Sequence, residues 1–136
     1  MADLDLQISF RPRSEVLIEI RAELREWLER CAVRPEIIEE LVLSADELCS
    51  NAIEAASGGV VKIHARCDGS AVHLEVSNAG NAPDEIGRPG TAARDEGAVL
   101  ADRGRGLSIV RAFTDSLAIV NVDGRTVARA VRLLPA

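Results

Sequence analysis

Residues 46–55 read DELCSNAIEA. In a helix, Glu47 and Asn51 stand one turn apart on one face, while Leu48, Ala52 and Ile53 point elsewhere. A carboxylate followed one turn later by an amide suits a general base beside an oxygen ligand for a hard metal ion. The two belong to a longer polar stripe, Glu40, Ser44, Glu47, Asn51 and Glu54, flanked by Leu41, Ala45, Leu48 and Ala52. The plain alternative for such a stripe is a solvated helix face.

A second stretch, DRGRGLSIV at 102–110, has the makings of an anion site. Gly104 and Gly106 allow close backbone approach at a helix start, where free N–H groups and the positive dipole end attract anions, and Arg103 and Arg105 add charge. Two solvated arginines at a glycine-containing helix entry is the competing reading. A third stretch, EVSNAGNAP at 75–83, closes an apolar strand with Asn78 and Gly80, and by itself it is also turn chemistry. Other nucleotide devices are missing. The only lysine, Lys62, lies in a strand rather than after glycines, and no GxGxxG follows a first strand. His64 and His73 are expected to face each other across a hairpin, two ligands short of a metal site.

The elements that must position these residues can be read from periodicity. LDLQISF at 4–10 alternates as a half-buried strand does. Ser14 is a good N-cap for a helix with Val16, Ile20, Leu24, Trp27 and Leu28 on one stripe, ending before Pro35. A second helix is expected from about Pro35 to about Ala56, stopped by Ser57-Gly58-Gly59. VVKIHARC and AVHLEVS flank Asp68-Gly69. A two-residue turn there sets Ile63 against Leu74, Ala65 against Val72 and Val61 against Val76 on a dry face, with Lys62 against Glu75 and His64 against His73 on a wet one. Residues 78–103 read as a long loop, GLSIVRAFT as a short helix, and SLAIVNV and TVARAVRLL as a hairpin around Asp123-Gly124. The order strand, helix, helix, hairpin, loop, helix, hairpin predicts an α+β two-layer sandwich, a mixed but largely antiparallel sheet with helices on one face.

The chain has 136 residues, 47% hydrophobic and 28% charged, which predicts one folded domain over 1–136 rather than disorder. A net charge of -6 and the scarcity of aromatics, two Phe, one Trp and no Tyr, argue against nucleic acid as a partner. No apolar run is long enough for a membrane span and the N-terminus is unlike a signal peptide, so a cytoplasmic location is expected. Cys31, Cys49 and Cys67 form no CxxC pair and read as small core residues.

Taken in chain order, ELCSNAIEA, VSNAGNAP, a glycine-rich segment ending in RGRGLSIV, and GRTVARAV resemble the asparagine box, the two glycine boxes and the last strand pair of the Bergerat-fold (GHKL) ATPases. The resemblance covers nearly the whole chain from Ser9 onward. The small size and the DELCSNAIEA form of the first box look like the anti-sigma-factor serine/threonine kinases of bacterial partner-switching systems.

That resemblance implies ATP and Mg²⁺ as cofactors, with Glu47 as the base that deprotonates an attacking hydroxyl and Asn51 as the Mg²⁺ ligand at the ATP phosphates. It implies a phosphate cradle from Gly104, Arg105, Gly106 and Leu107 with Arg103 beside it, adenine contacts at Asn78 and Thr126, and further ATP-binding positions at Gly80 and Ala82. The implied partners are a sigma factor or a STAS-domain antagonist, with a homodimer as the family's habit. The chain departs from the pattern at three places. Asn78 stands for the aspartate that accepts from the adenine amino group, Ala82 for the second glycine, and Ala55 for a frequent histidine. An uncharged acceptor predicts weaker adenine recognition. Two readings therefore stand side by side: a kinase that phosphorylates its antagonist, and a binding module that keeps the fold but turns over little or no nucleotide.

Overall fold

The structure is a computed structural model that describes residues 4–56, 58–79 and 104–135. Strand β1 (Leu4–Phe10) alternates as its sequence does, with Leu4, Leu6 and Ile8 half-buried and Phe10 buried. A 3-10 turn (Ser14–Val16) leads into α1 (Leu17–Arg30). Ser14 is not the expected N-cap: it opens the turn, and its carbonyl accepts from the backbone N–H of Leu17. Backbone bonds of the tighter turn thus satisfy N–H groups at the helix entry, including Val16 N to the Arg13 carbonyl at 3.3 Å, and no side-chain cap is used.

The buried stripe of α1 is Leu17, Ile20, Leu24, Trp27 and Leu28. Trp27 is 2% exposed, and its indole nitrogen has no hydrogen-bond partner among the described residues. Burying an indole of 150–250 Å² contributes about 4–6 kcal/mol. That exceeds the roughly 1–3 kcal/mol cost of one orphaned N–H, so the position stays apolar in effect.

Helix α2 (Pro35–Ala55) begins with Pro35 in its first turn and ends at Ala56, followed by Gly58 and Gly59 at φ +102° and +78°. It lies beside α1, joined by Arg21 to Asp46 at 2.8 Å and by the exposed bidentate pair Arg25 to Glu39 at 2.9 Å. The second of these is solvated and contributes little.

Strands β2 (Val61–Cys67) and β3 (Ala71–Ala79) form the predicted hairpin, but two residues out of the predicted register. Cys67 pairs with Val72, Ala65 with Leu74, Ile63 with Val76 and Val61 with Asn78. Asp68 causes the shift. Its Oδ1 accepts from Ser70 N, Ser70 Oγ and Ala71 N at 2.8–3.0 Å, and its own N–H donates to the Ala71 carbonyl at 3.3 Å; these bonds place the turn at Gly69-Ser70, one residue later than read, and set the Asp68 carboxyl down at about 2. A slip of two preserves the faces, so the dry face is as expected. His64 and His73 do not meet: His64 faces Glu75 and contacts Asp5 at 3.3 Å, and His73 faces Arg66 and contacts Asp68 at 3.7 Å. β3 also continues through Ala79, so Asn78 is a strand residue rather than the start of the loop. The rest of that loop, with the expectations for Gly80, Ala82 and Arg103, lies outside the described residues.

Helix α3 (Gly104–Phe113) is followed by β4 (Ser116–Val122) and β5 (Arg125–Leu133). Val122 pairs with Arg125 across Asp123 and Gly124, at φ +50° and +76°, the two-residue turn read from the sequence. The sheet order is β1-β2-β3-β5-β4. Each of the four pairings is antiparallel, so the sheet is simpler than the mixed one expected. One cluster joins its dry face (Val61, Ile63, Ala65, Cys67, Val72, Leu74, Val76, Ala128, Ala130) to the helices through Leu24, Trp27, Leu41, Leu48, Leu107 and Val110. This is the α+β two-layer sandwich of the sequence reading. Cys31, Cys49 and Cys67 are buried free thiols, and burial raises Cys31 and Cys49 to about 12. No helix of the described residues is long and apolar enough to cross a membrane.

The close of α1 generates a stability prediction. Ala32 N donates to the Glu29 carbonyl and Val33 N to the Leu28 carbonyl, a Schellman-type close that holds Ala32 at φ +61°. An L side chain is disfavoured there, so Ala32→Gly is expected to stabilise the fold by about 0.5–1 kcal/mol. Urea unfolding followed by Trp27 fluorescence measures the change.

Candidate functional site

The candidate residues converge because three elements end at one edge of the sandwich. Helix α2 carries Glu47 and Asn51 in its C-terminal half, and only residues 56–60 separate it from the first residue of β2. The cross-strand row at that end is Phe10, Val61, Asn78, Thr126 and Asn121, in strand order. Helix α3 ends near the opposite edge, where Ser116 pairs with Val131. At about 1.5 Å per residue its ten residues reach back about 15 Å, so Gly104 and Gly106 return to the Asn78 end.

Glu47 and Gly106 are in direct contact. A Cβ placed on Gly106 would lie 2.5 Å from Glu47 Oε2 and 3.4 Å from Glu47 Cδ. With glycine at 106 the first turn of α3 lies directly on the carboxylate, and a larger residue would make the Glu47 carboxyl swing aside. Leu107, next in the chain, is 2% exposed and anchors that turn in the core. Its side chain packs, so any phosphate contact from this residue comes through its backbone. Glu47 itself is half-buried, and its carboxyl is held above the usual range, first by loss of water and second by the charge of Asp46. A carboxylate with a raised pKa at a helix N-terminus is a better proton acceptor than a solvated one.

The polar stripe of α2 is only partly solvated. Ser44 is fully buried and donates to the Glu40 carbonyl at 2.9 Å, Glu40, Glu47 and Asn51 are half-buried, and Glu54 is exposed. This separates it from the plain solvated face that the pattern also allowed.

Asn78 and Thr126 form the second cluster. They sit opposite each other on β3 and β5, 2% and 8% exposed, and with Ser44 they are the buried polar residues of the described core. Thr126 Oγ1 donates to Asn121 Oδ1 at 2.8 Å on the next strand. A dry sheet face that turns polar in its last row provides hydrogen-bonding edges at the mouth of the core, as a planar heterocycle needs.

Asn51 lies one turn beyond Glu47, half-buried. Groups of three or more acidic, His or Cys side chains able to hold a metal are lacking among the described residues. Two residues were not singled out by the sequence reading. Asn121 supports Thr126, and Arg132 bonds Glu40 Oε1 and the Phe113 carbonyl, each at 2.7 Å. Parity was the available signal for both. Asn121 follows Leu117 and Ile119, and Arg132 follows Ala128 and Ala130, so each continues the dry face with a polar group.

A pH signature follows from Glu47. Because its folded pKa is raised, ionisation destabilises the fold, an effect that develops as pH rises from the ordinary value of 4.5 through the folded one. Glu47→Gln is expected to unfold at a higher temperature than the wild type at neutral pH. Calorimetric scans at descending pH should show this advantage vanishing as the carboxyl protonates. An equal gain at all pH values would mean that the ionised carboxylate is not disfavoured in the fold.

No curated protein sequence matches the chain. Among solved structures, it is similar to the RsbU and RsbW domains of Rv1364c from Mycobacterium tuberculosis, with TM-score 0.71 and 21% identity over 98% of this chain and 33% of that one. It therefore spans about a third of the length of that protein chain. It is also similar to the SiaB–SiaC complex from Pseudomonas aeruginosa, with TM-score 0.63 and 16% identity over 91% of this chain and 88% of that one. At these identities the likeness is one of fold. The family profile reaches from the last residue of β1 nearly to the end of β5, taking in Glu47, Asn51, Asn78, Gly106 and Thr126: matched over residues 10–132, the chain belongs to the histidine kinase-like ATPase domain family.

Proposed function

We propose that the chain is an ATP-dependent serine/threonine protein kinase and anti-sigma factor of a bacterial partner-switching system, and that it phosphorylates a STAS-type antagonist. The observation that carries this reading is the seat of Gly106 on the Glu47 carboxylate. It sets a proton acceptor beside the N-terminus of α3, where unpaired N–H groups and the helix dipole favour phosphate oxygens. Family membership implies an ATP-binding domain. Two features of the chain fit a nucleotide: the narrow approach at Gly106 and the buried polar pair Asn78 and Thr126.

In this reading the Glu47 carboxylate accepts the proton of the substrate hydroxyl as that oxygen bonds the terminal phosphorus and ADP departs. Gly104, Arg105, Gly106 and Leu107 offer backbone donors to the phosphates, with Arg103 as added charge. Asn78 and Thr126 hold the base. Asn51 is the residue that would hold Mg²⁺, which when bound neutralises phosphate charge. Because phosphoryl transfer relies mainly on positioning and charge neutralisation, this short set of groups suffices.

The fold likeness to the RsbW-containing structure and to a complex of two proteins, SiaB with SiaC, supports a regulator that acts by exchanging protein partners. A sigma factor as second partner, a homodimer and a cytoplasmic setting complete the proposal. The second reading, a binding module with weak or no turnover, is favoured by one observation: the buried acceptor at the end of β3 is Asn78, a neutral amide where the resemblance implies a carboxylate.

Glu47→Gln keeps shape but removes the base. It is expected to bind Mg-ATP with near wild-type affinity in calorimetry and to lower phosphate transfer to a STAS-domain protein by at least about 100-fold. Retained transfer would remove Glu47 from the reaction. Asn51→Ala should weaken nucleotide binding in magnesium and leave it nearly unchanged in EDTA. No heat from Mg-ATP at millimolar concentration with the wild type would decide for the binding module.

A further inference from the structure

Two polar positions mark the ends of the packing between α2 and α3, and they are seven residues apart on both helices. At one end Gly106 lies against Glu47. At the other, Arg132 Nη1 donates to Glu40 Oε1 and to the carbonyl of Phe113, the last residue of α3. Glu40 to Glu47 and Gly106 to Phe113 each span two turns, about 10 Å. The helices therefore run antiparallel in one register. Ser44 lies between the two contacts on the same stripe of α2, fully buried, and its small side chain keeps that stripe low.

Arg132 is well placed to hold that register. It projects from β5 on the helix-covered face, in the row of Val72, and its side chain is 21% exposed. One nitrogen serves a carboxylate on α2 and a terminal carbonyl on α3, where unpaired C=O groups and the negative dipole end favour a cation. The same exit is fixed to the sheet by Asp115 N donating to the Val131 carbonyl and by Leu133 N donating to Asp115 Oδ2, both at 2.7 Å. With its C-terminal end held this way, a helix of three turns carries its N-terminal end with it.

We propose that Arg132 is a positioning residue for the phosphate end of the site: by fastening the last turn of α3 to Glu40, it sets how closely Gly106 approaches Glu47. The proposal rests on reading Glu47 and Gly106 as part of a nucleotide site, and it adds a residue at the far end of the helix that touches no substrate.

The test compares Arg132→Met, Arg132→Lys and, as a control for lost stability alone, the core variant Ile20→Val. Backbone amide resonances of Gly106, Leu107 and Ser108 are recorded without ligand, and Mg-ATP affinity is measured by calorimetry on the same samples. Arg132→Met should move the three resonances and weaken Mg-ATP binding at least tenfold. Arg132→Lys, which keeps a cationic donor, should recover most of both, and Ile20→Val should change neither. Unmoved resonances in Arg132→Met, or unchanged affinity where the wild type binds, would overturn the proposal. Resonances that move in a protein whose wild type binds no Mg-ATP would support the positioning and refute the nucleotide reading.

Discussion

A carboxylate and a glycine meet at one edge of the sandwich, where α3 begins. Glu47 is half-buried with α3 lying across it, and Gly106 suits that seat because a side chain there would begin 2.5 Å from Glu47 Oε2. The arrangement is unfavourable for the ionised acid, since desolvation and Asp46 both oppose its charge. The rest of the fold tolerates it: Leu107 and Val110 anchor α3 in the core, and Arg21 binds Asp46 at 2.8 Å from the neighbouring helix. A group kept in an unfavourable environment by surrounding structure is characteristic of functional sites.

The sheet serves the site by ending well. The two middle rows of its covered face are apolar, and then at one edge Asn78, Thr126 and Asn121 replace hydrocarbon with amides and a hydroxyl. Glu47 and Asn51 lie in the half of α2 nearest that edge, a consequence of the short 56–60 connection into β2. Acid chemistry and flat polar surface thus meet at one side of the sandwich without any single segment of sequence containing both.

Much of this is legible in the sequence. Period-two and period-3.6 patterns placed all five strands and all three helices of the described residues, and the Asp123-Gly124 turn was read correctly because both residues adopt positive φ. Asp68-Gly69 looked the same on paper. There the aspartate uses its side chain to collect three donors, which displaces the turn by one residue to Gly69-Ser70 and moves the register by two. A dipeptide signal does not say whether the side chain or the backbone of the aspartate will close the turn. The polar stripe of α2 was visible, but its partial burial was not, because burial depends on α3 arriving from half a chain away. Arg132 was hidden for the same reason. Its parity was readable, while the helix end and carboxylate it joins come together only in three dimensions.

The most direct measurement is a heteronuclear NMR titration of the chain with magnesium and a non-hydrolysable ATP analogue. Saturable shifts are expected at Glu47, Asn51, Asn78, Gly106 and Thr126, drawn from four separate stretches of sequence, with the open sheet face around Gln7, Lys62 and Glu75 unmoved. Saturation that perturbs the open face and leaves Glu47 and Gly106 in place would contradict it.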